Sequence, residues 1–110
     1  MGEEQRRSPR KSLQVDFRAR DAGGAGQLLF EGRDLSTGGS FLRSDVLLEQ
    51  DEDLTVEFRV PGVPRPLRAQ ARVAWVRRFP KFDETAGMGV QFIEMVDEDR
   101  TLLDDYLAGV

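Results

Sequence analysis

The amino-acid sequence predicts an all-β domain, a small antiparallel β-barrel followed by one C-terminal helix. Short runs of alternating apolar and polar residues recur along the chain, and turn signals rich in Gly and Pro separate them. A helical pattern enters only near the C-terminus. The 110 residues suffice for one domain with a modest core and not for two. With 39% hydrophobic and 33% charged residues, the composition is that of a soluble globular chain.

Residues 1–12 are almost without apolar side chains and carry Arg6, Arg7, Arg10 and Lys11. Pro9 lacks an amide donor and biases Ser8 toward an extended conformation. The stretch reads as a flexible basic arm or as a plain solvated terminus, and residues 13–110 as the folded domain. Leu13, Val15, Phe17 and Ala19 alternate with Gln14, Asp16, Arg18 and Arg20, the mark of a half-buried strand. The glycine-rich stretch 21–26 breaks it, and residues 27–33 resume an extended run, giving a hairpin with a loose loop. A polar turn then leads into a third strand over 39–43.

Glu49, Asp51, Glu52 and Asp53 read as a solvated connection, because the ligand spacing of a calcium loop is missing. Leu54, Val56, Phe58 and Val60 form the apolar parity of the next strand, which stops at Pro61-Gly62. Three prolines within 61–66 make that segment a hairpin connection. Leu67, Ala69, Ala71, Val73 and Trp75 share one parity of the following strand, and the small Ala69 and Ala71 suit the tight interior of a barrel. That parity places Trp75 with the core, filling the barrel end; the other reading has its ring partly exposed as a platform for a base. Residues 87–93 open with glycines and turn apolar, as expected of a strand that bends or lies against another backbone. Asp97 is suited to cap a helix over 97–108, with Glu98 and Asp99 at its positive end and Gly109 as the stop. Leu103, Tyr106, Leu107 and Val110 give that helix an apolar stripe for docking on the barrel.

Cys and His are both absent. This removes disulfides, thiol nucleophiles, the Ser-His-Asp arrangement and the usual zinc sites together. No carboxylate pair stands out from a solvated acidic surface, so no catalytic residue, metal or cofactor is expected. The net charge of −4 argues against a general binder of DNA or RNA, and no apolar run is long enough for a membrane span or a secretory leader. Myristoylation wants Ser or Thr at position 6, where Arg6 stands. The expectation is a cytoplasmic protein with no membrane insertion. Charge is unevenly spread, however. Residues 1–20 hold Arg6, Arg7, Arg10, Lys11, Arg18 and Arg20 against Glu3, Glu4 and Asp16, a net of +3. Residues 94–110 hold Glu94, Asp97, Glu98, Asp99, Asp104 and Asp105 against Arg100, a net of −5. A basic beginning and an acidic end point to a local anion site and not to a basic face.

The polar turn carries the functional signal. Asp34 and Ser36 stand two apart on an extended chain and so face one side. Gly38 and Gly39 let the backbone turn or come close to a bound group. Such a turn grips a nucleotide, or joins two strands as an ordinary Asx or Ser turn. Arg6-x-x-x-Arg10 followed by Asp34-x-Ser36-x-x-Gly39 resembles the PilZ domain family, whose pattern is Arg-x-x-x-Arg and then Asp/Asn-x-Ser-x-x-Gly. The resemblance runs through nearly the whole chain, and residues 87–93 look like the closing strand of PilZ domains.

That resemblance implies a six-stranded antiparallel barrel with helical decoration. It also implies a non-enzymatic bacterial receptor or adaptor that binds cyclic di-GMP, commonly as an intercalated dimer, and signals to a partner protein. By the family pattern Arg6, Arg10, Asp34, Ser36 and Gly39 are the expected binding residues, with Arg7 and Gly38 in support. Some PilZ domains carry an aromatic near the ligand on the strand where Trp75 stands. The residue chemistry suits this ligand. Its two phosphodiester charges and the guanine O6 and N7 acceptors are groups that arginine pairs with bidentately. Asp34 can accept from guanine N1–H or N2–H, and Ser36 with the glycine backbone offers short hydrogen bonds. Two other readings are a PilZ-fold protein-interaction module that ignores the messenger and a small barrel that binds single-stranded nucleic acid. The latter usually displays several exposed aromatics, where this chain has one Trp and one Tyr.

Overall fold

The computed structural model describes residues 10–11, 14–21 and 26–109. It contains the strands β1 (Arg10–Lys11), β2 (Val15–Asp21), β3 (Gln27–Gly32), β4 (Leu35–Ser36), β5 (Gly39–Arg43), β6 (Asp53–Phe58), β7 (Leu67–Arg77) and β8 (Gly87–Glu94), then the helix α1 (Asp97–Ala108). Neighbouring strands run in the order β1-β4-β5-β3-β2-β6-β7-β8, and β8 also pairs with β5. The six strands from β5 to β8 therefore close into an antiparallel barrel, the architecture expected from the sequence. The short β4 and β1 extend it at one edge.

Strict alternation sets which side chains fill the barrel. Phe17 and Ala19 on β2, Leu54, Val56 and Phe58 on β6, and Leu67, Ala69, Ala71 and Val73 on β7 are all buried. Phe17 stacks on Phe58 at 4.7 Å between centroids, and Phe58 stacks on Phe92 of β8 at 5.5 Å. Each large apolar side chain removed from water contributes about 1.5–3 kcal/mol, so this aromatic column anchors the core.

The alternation of β7 fails at one place, and Trp75 is there. Val73 pairs with Val90 and Trp75 with Gly89, so Ala74 is an extra residue and the strand carries a bulge. A bulge of one residue reverses the parity beyond it. Trp75 therefore leaves the core set and lies on the outer surface, 43% exposed, while Val76 turns inward. It does not fill the barrel end.

The helix also departs from expectation at its start. Val96 occupies the N-cap position and makes no side-chain cap bond, and Asp97 is the first helical residue. A different acid does the anchoring. Asp99 is buried, accepts the backbone N–H of Arg68 at 3.0 Å, and lies 2.7 Å from Nη2 of Arg65. It ties α1 to the start of β7 and the connection before it. Leu103 and Leu107 bury the apolar face of the helix, and Gly109 closes it with a φ of 83°, a conformation that favours glycine.

Candidate functional site

The turn between β4 and β5 is held together by its own polar side chains. Oδ1 of Asp34 accepts the backbone N–H of Phe41 at 2.9 Å, and the carbonyl of Asp34 accepts the Ser40 hydroxyl at 2.6 Å. The Ser36 hydroxyl accepts the Gly38 N–H at 3.2 Å and donates to the Gly39 carbonyl at 3.3 Å. Ser36 and Gly39 are buried, Asp34 is half-buried, and Gly38 is exposed at the apex. The carboxylate and hydroxyl expected to meet a ligand thus also shape the bend from within.

The turn is braced from behind by two other elements. The Thr37 carbonyl accepts Nη1 of Arg100 on α1 at 3.0 Å, and the Gly38 carbonyl accepts the N–H of Phe92 on β8 at 2.8 Å. The two carbonyls at the apex are thus both committed within the chain. Gly39 is required by close approach, because a Cβ there would overlap the Val90 carbonyl of β8.

The basic arm reaches this turn through its last residues. Arg10 pairs with Ser36 and Lys11 with Leu35, so the second arginine of Arg-x-x-x-Arg stands opposite the serine of the turn motif in a β-ladder. Arg6 and Arg7 lie outside the described residues. Neither β1 nor β4 was expected, since two residues are too short for any alternation to register.

Beside the turn, on the outer surface, Phe41 stacks on Trp75 at 5.4 Å with an interplanar angle of 18°. The Arg77 guanidinium lies 5.3 Å from the Phe41 ring and 5.2 Å from the Trp75 ring. Gly89 makes room for the indole, which a Cβ at that position would strike. Phe41 thus joins two expected site residues, its amide held by Asp34 and its ring against Trp75. Phe41, Arg77 and Arg100 were not singled out by the sequence. Arg77 shares the parity of Trp75, a usable signal, whereas nothing local marks Arg100.

A concavity of about 960 Å³ is lined by residues including Val15, Phe30, Phe58 and Glu57, and no residue of the turn borders it. The turn is a surface feature, and a ligand held there needs a second wall. Among the described residues no group of His, Cys, Asp or Glu is arranged to hold a metal ion, and no helix is long and apolar enough to cross a membrane.

The model of the PilZ domain family matches residues 4–109. No curated protein sequence matches. Among solved structures, the Bacillus subtilis inhibitor of motility MotI/DgrA superposes with a TM-score of 0.79 at 19% identity, over 93% of this chain and 49% of that one. MrkH, a c-di-GMP-dependent transcription regulatory factor, gives 0.73 at 19% identity over 94% and 49%. The PilZ domain of YcgR from Escherichia coli, solved with c-di-GMP, gives 0.68 at 17% identity over 96% and 90%. The chain spans about half the length of the first two, and these likenesses concern the fold.

Proposed function

We propose, on the premise that this chain belongs to the PilZ domain family, that it is a non-enzymatic receptor for cyclic di-GMP that passes the signal to a partner protein. The observation that carries the reading is the pairing of Arg10 with Ser36, which brings the basic arm onto the turn. In this reading the arm supplies the second wall that the exposed turn lacks. Arg6, Arg7 and Arg10 close over the phosphates and guanine edges with planar, bidentate guanidinium groups. Asp34, Ser36 and the Gly38–Gly39 backbone hold the other side, and Trp75 offers its exposed face to a base. The absence of Cys and His supports a binding role without chemistry.

Isothermal calorimetry with cyclic di-GMP tests this. Binding at micromolar or tighter affinity is expected, and Arg10→Ala and Asp34→Ala should each weaken it. Losing one charge-assisted hydrogen bond costs about 1.5–3 kcal/mol, roughly ten- to a hundredfold or somewhat more in affinity. No heat of binding would leave the protein-interaction module as the reading. Binding unchanged in both variants would place the ligand elsewhere on the barrel.

A further inference from the structure

The loop 78–86 between β7 and β8 carries the most exposed apolar side chains among the described residues. Phe79 is 90% exposed and Phe82 fully so. The loop is nevertheless well tied. The Glu84 N–H bonds the Lys81 carbonyl at 2.9 Å, and the Lys81 N–H bonds the Glu84 carboxylate at 2.8 Å, forming a tight turn with Phe82 and Asp83 at its corners. Below the turn, Arg77 donates to the Thr85 carbonyl at 3.3 Å, Arg78 pairs with Glu49 at 3.1 Å, and the Ser44 N–H bonds the Ala86 carbonyl at 3.1 Å. Phe82, held in water at the corner of an ordered turn, is a preorganised anchor, since little conformational freedom remains to be lost on contact, and Phe79 stands exposed three residues before it.

The charges of the tip indicate what they meet. Arg77 and Arg78 have carboxylate partners within the chain, Glu84 and Glu49. That leaves Lys81 and Asp83 as exposed tip charges outside any ion pair among the described residues. One of each sign, flanking the same ring, attracts neither an anionic bilayer nor a partner of one charge. The pattern is complementary to itself: across a two-fold axis Lys81 of one copy faces Asp83 of the other, and the reverse, around four phenylalanines. A reciprocal contact of this kind closes at two copies and builds no filament.

We infer that the β7–β8 loop is a self-association surface through which two copies of this chain pair tip to tip. Four Phe side chains at about 150–250 Å² each offer roughly 600–1,000 Å² together, below the ~1,200 Å² at the low end of stable interfaces. The dimer is weak and transient, with a dissociation constant of about 0.1–1 mM. The inference goes beyond the nucleotide reading and does not need it.

Sedimentation velocity of the full chain without nucleotide, from about 10 μM to about 1 mM, tests it at the affinity set above. The sedimentation coefficient is expected to rise with concentration toward the dimer. Phe79→Ser with Phe82→Ser should hold the chain at the monomer value throughout. Lys81→Glu and Asp83→Lys should each weaken self-association roughly tenfold, because two attractions become two repulsions. Mixed together, those two charge variants should associate, since each presents the partner charges of the other. All four positions are exposed, and circular dichroism of each variant should match the parent. A chain that stays monomeric over the whole range, an association indifferent to the phenylalanines, or charge variants that do not associate on mixing would each overturn the inference.

Discussion

Arg100 is the residue whose role could not be read ahead of the structure and whose position says most about the turn. It sits in the first turn of α1 and donates to the Thr37 carbonyl at 3.0 Å, across the barrel edge. With Phe92 holding the next carbonyl, it fixes the two peptide planes of the apex. A half-buried hydrogen bond from a charged donor contributes about 1 kcal/mol or somewhat more. Arg100→Ala should therefore weaken the proposed nucleotide binding about fivefold, speed hydrogen exchange at the Gly38 amide, and lower the melting temperature by about 4 °C. Calorimetry and amide exchange check this together. If exchange at Gly38 stays at the parent rate while affinity falls, Arg100 acts on the ligand itself and not on the turn.

Most elements were legible in the sequence because the barrel strands are half-buried, and half-burial writes itself as a period of two. Phe17, Val56 and Ala71 all lie on the face their parity assigns. What was not legible falls into two kinds. The Ala74 bulge depends on how Trp75 meets Gly89 across the ladder, a pairing with no local signature, and so the parity of Trp75 misled. The two-residue strands β1 and β4 arise only by juxtaposition. The turn motif itself was plain, but not the inward use of Asp34 and Ser36 to build it. At this scale the β6–β7 hairpin also carries a testable ion pair. The hydrogen bond from Arg72 to Asp53, 2.8 Å long, holds the Asp53 carboxyl below its ordinary value of 3.8. A depressed folded-state value means that the pair's contribution is fully present above the unfolded value and is lost as pH falls through the folded one. A carboxyl-carbon NMR titration should find Asp53 protonating below pH 3.8. In Arg72→Gln the midpoint should move up toward that ordinary value.

For the whole molecule, the question is how a chain with a net charge of −4 would attract the dianion proposed as its ligand. Its overall field repels the ligand, so any attraction must come from cations that are local and close. The basic arm meets the barrel at the Arg10–Ser36 pairing, and Arg100 stands behind the same turn. Of the acids of α1, Glu98 and the buried Asp99 are matched by Arg65. Local attraction and global repulsion are both screened by salt, but over different distances. At about 0.1 M the Debye length is near 10 Å, so the distant repulsion is already damped while contact pairs persist. Affinity for cyclic di-GMP should therefore stay nearly level from low salt to about 0.1 M and fall severalfold toward 1 M, where the screening length is about 3 Å. Replacing Arg6 and Arg7 by Gln should steepen the low-salt repulsion and flatten the high-salt decline, because fewer contact pairs remain to be screened. Calorimetric titrations across that range check both slopes. A steady steep fall beginning at the lowest salt would mean that long-range attraction governs binding, and that the arm spreads a positive field over the site instead of clasping the ligand.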